Sequence, residues 1–347
     1  MEEYKLSVAS SPHASSPVGT KNLMRDVLIA LIPALAMGIY VFGPRALTMT
    51  LVSVVFCEIF EWLYCKIMHK PIPCGDLSAA ITGVLLVFVC PVTLPYWTII
   101  IGDAFAIIVV KQLFGGLGTN FLNPALGGRA FLMLCYPVPM TTWVLPGKAN
   151  WASIVSAADA VTGSTPLAND FMKKGLLPDG VSLSDMFIGN IGGCVGEISA
   201  IALLIGGIYM LAKGVIRIPA AYIITVAVLS LIFPRSHEVN RFVWMLYEVF
   251  GGGLFLGAFF MATDHVTSPN TPKGEVIFGI GAGLLVVFIR RFGGYPEGVC
   301  YSILIMNICV WLIDKATLPH RFGVSAEMRK AEKEKAKAAK KAAKEGA

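Results

Sequence analysis

What most constrains this chain is a succession of apolar blocks, each about as long as a bilayer is thick. A helix needs ~20 predominantly apolar residues to cross a hydrocarbon core. Runs near that length extend over Asp26 to Gly43, Ala46 to Met68, Tyr96 to Phe114, Met186 to Ala212, Ile218 to Phe233, Phe242 to Met261, Glu275 to Ile289 and Gly298 to Ile313. Two shorter runs, Ala79 to Cys90 (halted by Pro91) and Ala130 to Tyr136, read as interrupted segments. Charged residues make up 14% of the chain, against about 25% in soluble domains. The expected fold is an all-α integral membrane protein of about ten transmembrane segments.

The blocks divide the chain. Residues 1–24 are a polar N-terminal segment, 25–137 a first transmembrane half, 138–185 a long polar loop, 186–323 a second half, and 324–347 a Lys/Ala-rich tail. The first twenty residues lack an apolar core, so no cleavable signal peptide is expected. The net charge of +6 is concentrated in the tail and does not suggest nucleic acid. None of the eight cysteines pair as C-x-x-C. Clustered thiolates are what iron–sulfur and zinc sites require, so these cysteines read as small hydrophobes between helices.

An internal repeat is visible. Ile101-Gly102-Asp103 leads through an apolar run to Lys111-Gln112-Leu113-Phe114-Gly115-Gly116, and Ile280-Gly281-Ala282 leads likewise to Arg290-Arg291-Phe292-Gly293-Gly294. Each follows a Val-Thr turn with proline, Val92 to Pro95 and Val266 to Pro269. With five segments per half, the second half enters the membrane in the opposite sense. Inverted repeats of this kind carry a binding site near the midplane, at broken helices. The expected breaks are Cys90–Tyr96 and Met261–Lys273. Most Lys and Arg fall on the side that holds both termini, which makes the termini cytoplasmic and the 138–185 loop outward-facing. Arg290 and Arg291 lie against this assignment. Trp143 and Trp151 suit a membrane interface.

Carboxylates within the apolar blocks are costly and mark functional candidates. They are Glu58, Glu61, Asp103, Glu197 and Glu248, candidate members of a sodium or proton path. Glu58 and Glu61, three apart, share a helix face. The ordinary alternative is that each bonds to a neighbouring helix.

In the polar loop, Asp159-Ala160-Val161-Thr162-Gly163-Ser164-Thr165-Pro166-Leu167 is composed of turn formers, and an ordinary surface loop accounts for it on composition alone. It also resembles the acceptor motif of bacterial flavin transferases: Asp, two variable residues, Ser or Thr, Gly, Ala, Thr. Asp159, Thr162, Gly163 and Thr165 match; Ser164 stands in place of the usual Ala. Three further stretches add to it: Asn123-Pro124-Ala125-Leu126-Gly127-Gly128-Arg129-Ala130-Phe131, Met261 to Gly274, and Phe292-Gly293-Gly294-Tyr295-Pro296-Glu297-Gly298. On these motifs, residues 20–323 resemble the RnfD family, membrane components of the Rnf complex, the ion-translocating ferredoxin:NAD oxidoreductase.

That resemblance implies FMN esterified through its phosphate to Thr165. A flavin transferase would recognise Asp159 and Thr162, and the Gly163 hinge and small Ser164 would let it approach the backbone closely. It also implies a second, non-covalent flavin (riboflavin or FMN) near the broken helices. Candidate ligands are Asn120 and Asn123 for the ring edge, Arg129 to bond or stack, and Asp264 to line the cavity. Each has a structural alternative: Asn before Pro is a common turn residue, and Arg129 can instead pair with a buried carboxylate. The implied setting is the cytoplasmic (inner) membrane, with RnfA, RnfB, RnfC, RnfE and RnfG as partners in the complex. The chain has no dinucleotide fingerprint, so partners would supply the ferredoxin and NAD sites. Two other readings compete: a secondary transporter without redox cofactor, and the NqrB component of the sodium-pumping NADH:quinone reductase, whose longer N-terminal extension is missing here.

Overall fold

A computed structural model describes residues 19–71, 73, 75–144, 146, 162–163, 167, 181–216, 219–234, 239–293 and 298–318. Within these residues the first half comprises α1 (Thr20–Phe42), α2 (Pro44–Ile67), α3 (Ser78–Phe88), α4 (Tyr96–Ala104, continuing as a π-helix over Phe105–Gln112) and α5 (Pro124–Cys135). A single turn, α6 (Pro137–Met140), leads to strand β1 (Trp143–Val144), which pairs antiparallel with β2 (Thr162–Gly163). The second half comprises α7 (Leu183–Ile188), α8 (Ala200–Ala212), α9 (Ala220–Ile232), α10 (Arg241–Phe250), α11 (Leu254–Leu256, continuing as a π-helix over Gly257–Met261), α12 (Pro272–Phe292) and α13 (Val299–Thr317).

Each half packs as a unit. In the first, α2 lies on α3 and α4, and the π-helical end of α4 lies on α5. In the second, α9 lies on α10 and α12, and α12 on α13. The halves meet where α1 packs on α8 and α5 on α13. Small residues make the closest approaches possible, as lipid-embedded packing requires. A β-carbon on Gly206 of α8 would run into the Ala30 carbonyl of α1. One on Gly83 of α3 would stand 2.9 Å from the Val54 backbone nitrogen of α2.

Among the described residues, four helices are long and apolar enough to cross a membrane: α1, α2, α12 and α13. A fifth candidate is the α10–α11 pair, bent by 61° at its break. Their outer faces carry exposed Leu51, Val55 and Ile59 on α2, and Ile280, Leu284 and Phe288 on α12. Leucine and isoleucine in rows on a helix exterior are suited to acyl chains, not water. The chain is a multi-pass membrane protein.

The expected segments need four corrections. Met186 to Ala212 is not one span: α7 ends at Gly189 (φ 119°), and residues 190–199 are non-helical before Ser199 caps α8. Phe242 to Met261 is broken at Gly251–Gly253, where Gly252 and Gly253 adopt φ 64° and 66°, conformations open to glycine at little cost. The run expected from Ala130 begins at Pro124, because the Asn123 side chain caps it. The first helix begins at Thr20, not Asp26, because hydropathy marks what sits in lipid while backbone hydrogen bonding continues past it. The breaks expected after Cys90 and Met261 do separate α3 from α4 and α11 from α12.

Candidate functional site

Between the halves lies a cavity of about 380 Å³, within the range of small-molecule sites. Its walls are mostly apolar, with Leu85 and Phe260 among them, and its polar groups include Asn120, Asn123, Asp264 and Lys111. Asn123 is the N-cap of α5: its Oδ1 accepts from the Ala125 and Leu126 N–H groups at 3.1 and 3.3 Å. With its side-chain oxygen satisfied, Asn123 serves first to start the helix. Asn120 differs. Its Nδ2 donates to the Leu122 carbonyl at 3.0 Å, while its buried Oδ1 has no partner among the described residues. An unmet buried acceptor at a cavity wall is costly unless a ligand or water fills it. Asp264 accepts from the Thr267 hydroxyl at 3.1 Å. Asn307 of α13 ties the floor together: in the amide orientation that satisfies its neighbours, it accepts from the Asn123 N–H at 3.2 Å and donates to the Thr267 carbonyl at 3.0 Å.

Lys111 is the buried cation of this cavity. Its Nζ lies 2.6 Å from Glu61 Oε1 and 2.6 Å from Ser78 Oγ, at the first residue of α3. Gln112 Nε2 donates to the same Glu61 oxygen at 2.6 Å, and Glu61 Oε2 has no partner among the described residues. Earlier on α4, Asp103 accepts from Ser53 Oγ at 2.6 Å and from the Cys57 thiol at 3.3 Å. Glu58 is half-buried on α2.

A second cluster sits in the non-helical centre. Arg129 Nη1 of α5 pairs with Glu197 Oε1 at 3.1 Å, both side chains buried. Glu197 lies against the α10–α11 break: a β-carbon on Gly253 would stand 2.6 Å from its Oε1. Arg290, at the position the repeat aligns with Lys111, is buried at the same break. It donates to the carbonyls of Glu248 (2.6 Å), Gly251 (3.0 Å) and Gly252 (3.2 Å). So Arg290 is a helix-break cap, which explains why it fits poorly as a loop charge. Glu248 accepts from Trp244 Nε1 at 2.9 Å and from the Ser230 hydroxyl.

The structure thus brings Asn120, Asn123 and Asp264 to one cavity and places Arg129 outside it, paired with Glu197. The five carboxylates do not form one line: Glu58, Glu61 and Asp103 cluster about α2 and α4, Glu197 is central, and Glu248 lies between α9 and α10. Asp159, Ser164 and Thr165 lie outside the described residues; Thr162 and Gly163 form β2, Gly163 opposite Trp143. Sequence reasoning did not assign Lys111, Ser78 or Arg290, although the repeat that aligns Lys111 with Arg290 was a usable signal.

The profile of the NQR2, RnfD, RnfE family matches residues 7–323. The chain belongs to this family. Among its members, the chain is similar to the D component of the Na(+)-translocating ferredoxin:NAD(+) oxidoreductase complex of Acetobacterium woodii, at 44% identity over 94% of this chain and 98% of the relative. It is 41% identical to the D component of the proton-translocating ferredoxin:NAD(+) oxidoreductase complex of Clostridium ljungdahlii, over 91% of this chain and 96% of that one. The D component of the ion-translocating oxidoreductase complex of Shewanella frigidimarina is 36% identical over 91% and 97%.

Proposed function

We propose that this chain is the RnfD membrane component of an ion-translocating ferredoxin:NAD oxidoreductase complex, passing electrons between partner subunits through flavin. Near end-to-end similarity to the corresponding components of such complexes carries the reading. It is not catalytically complete alone, and the other Rnf subunits are its partners. In this reading Thr165 would hold FMN as a phosphoester, its Oγ replacing AMP on the FMN phosphorus of FAD and its proton passing to a base of the flavin transferase. The Asp159 to Leu167 motif supports that assignment.

A second, non-covalent flavin suits the cavity between the halves. Its volume, its apolar walls and the unmet Asn120 acceptor fit a flat heteroaromatic ring with a polar edge. When bound, the ring supplies the electron chemistry. Asn120 would accept from a ring N–H, Lys111 would place positive charge beside it, and the apolar walls would exclude water. Arg129 serves the fold through Glu197 and not this ring.

The parallel packing order of the halves, and the matched sites of Lys111 and Arg290 at α3 and α11, support two inverted five-element repeats. In the cytoplasmic membrane the termini then face the cytoplasm and Thr165 faces outward. Of the five carboxylates proposed for an ion path, Glu61 is joined to the cavity through Lys111 and is the candidate for a cation, Na+ or H+. The relatives' names include both ions.

The test is in-gel flavin fluorescence of the denatured chain, co-expressed with a flavin transferase, beside Thr165→Val. A fluorescent wild-type band that vanishes in the variant is the expected result. No band in either, with the transferase active on a control, would turn the reading towards a transporter without flavin.

A further inference from the structure

A hydrogen-bonded line runs from the surface to a fully sealed carboxylate. Asp76, half-exposed just before α3, accepts from the Ser78 hydroxyl at 2.7 Å and from its N–H at 2.8 Å. Ser78 Oγ in turn accepts from Lys111 Nζ at 2.6 Å, and Lys111 Nζ stands 2.6 Å from Glu61 Oε1. Exposure falls along the line: Ser78 is 6%, Lys111 2% and Glu61 0% exposed. One end therefore meets water and the other does not. Each gap is within the ~2.6–3.2 Å over which a proton passes between heavy atoms.

Stability alone does not call for this line. Apolar residues of similar volume often serve as well as a sealed ion pair, and neither partner needs a hydroxyl link to water. The link is also built at a cost. Leu77, between Asp76 and Ser78, has φ 64°, a left-handed conformation unfavourable for a residue with a β-carbon. That turn folds Asp76 back over Ser78. At the inner end, Lys111 and Gln112 reach the same Glu61 oxygen from consecutive positions of the π-helix, a form frequent at functional sites. Glu61 Oε2, without a partner among the described residues, is the acceptor still open. Carboxylates at membrane depth recur in proton relays. The other titratable groups in electrostatic reach of Lys111 are Cys57, Glu58 and Cys65, all on α2.

We propose that Asp76, Ser78 and Lys111 form a proton-access route from water to Glu61. Asp76 takes a proton from water. Lys111 gives an N–H proton to Glu61, the emptied Nζ lone pair takes the Ser78 hydroxyl proton as that hydroxyl turns inward, and Ser78 Oγ takes the proton of Asp76. One proton has then moved from water to Glu61, while Asp76, Ser78 and Lys111 end as they began. The route deepens, and for its use rests on, the reading of Glu61 as a cation site. It concerns proton access, whichever ion the complex translocates.

The test follows the Lys111 ammonium protons by NMR, in the full chain isotope-labelled at its lysine side-chain nitrogens and purified by gel filtration in detergent. The rate measured is their exchange with water, and the resonance is assigned by its absence in Lys111→Arg. A hydrogen-bonded route to water makes that exchange fast. Asp76→Asn retains an oxygen that can accept from Ser78 but carries no proton, and is expected to slow exchange several-fold, with added formate restoring it. Ser78→Ala should slow it likewise, and Ser78→Thr restore it. A purely structural role moves the rate the other way, because a loosened contact between α2 and α4 admits water. A wild-type rate equal to or slower than that of Asp76→Asn would overturn the route. If Ser78→Ala does not survive gel filtration, Asp76→Asn decides. Neither flavin nor partner subunits are needed, so this result is separate from the reading of Glu61. That reading fails on another result: ion uptake by the assembled complex unchanged in Glu61→Gln while the exchange pattern holds.

Discussion

Lys111 Nζ stands 2.6 Å from Glu61 Oε1 across the contact between α2 and the π-helical end of α4, and both side chains are sealed from solvent. Two charges this deep cost several kcal/mol each to desolvate, and their attraction offsets that only while both remain. Removing one partner strands the other. Lys111→Met or Glu61→Gln is therefore expected to destabilise the chain by about 3–5 kcal/mol, and the double variant by clearly less than the sum. Unfolding in mixed micelles measures this; additive losses would mean the two groups are not coupled.

Arg290 makes a different demand. Its guanidinium serves three carbonyls that the α10–α11 break leaves without helical partners. Lysine has the charge but not the fork. Arg290→Lys is expected to cost about 1–3 kcal/mol, the penalty of one buried carbonyl left unmet. Thermal melts of the two purified chains decide it, and an unchanged midpoint would show that water or lysine replaces the fork.

The cavity yields a ligand prediction separate from the covalent flavin proposed for Thr165. Thr82 and Leu85 form part of its α3 wall. Thr82→Phe is expected to abolish non-covalent flavin, counted by chromatography of the acid-released fraction, while the covalent in-gel band stays. Asn120→Leu removes one hydrogen bond, about 0.5–1.5 kcal/mol, and should weaken flavin binding by up to about tenfold. Flavin retained at wild-type occupancy in Thr82→Phe would place that ring elsewhere.

At the loop end of the second half, Ser182 and Asp185 form a reciprocal cap on α7. Asp185 Oδ2 accepts from the Ser182 hydroxyl at 2.5 Å and from its N–H at 3.0 Å, while the Ser182 hydroxyl oxygen accepts from the Asp185 N–H at 3.2 Å. These bonds from Ser182 hold the Asp185 carboxyl below its ordinary range. A depressed carboxylate stabilises the cap fully above its unfolded pKa of about 3.9 and loses that contribution as pH falls through the lower folded value. Amide exchange at the start of α7, corrected for intrinsic rates, should be flat from neutral pH to about 5 and accelerate only in stronger acid. Asp185→Asn should lack that acid limb; if it keeps the limb, another group is responsible.

The order and apolarity of the segments were legible because transfer of a helix into lipid depends on local composition. So was the family, which short motifs of consecutive residues carried. The break after Pro91 was legible for the same reason, since a proline acts on its own neighbours. The α10–α11 break was not, because Gly251–Gly253 in an apolar run reads equally as close helix packing. Only tertiary structure showed Arg290 reaching it from the far end of α12. Likewise each intramembrane carboxylate announced itself as costly, yet its partner was undetermined. Arg129 and Glu197 are 68 positions apart, and a charge in low dielectric is settled by whichever opposite group the fold brings within hydrogen-bond reach. Cost is a property of the residue and can be read from its surroundings in sequence. Partnership is a property of packing, and here packing drew Asn120, Asn123 and Asp264 to one cavity wall while turning Arg129 away from it.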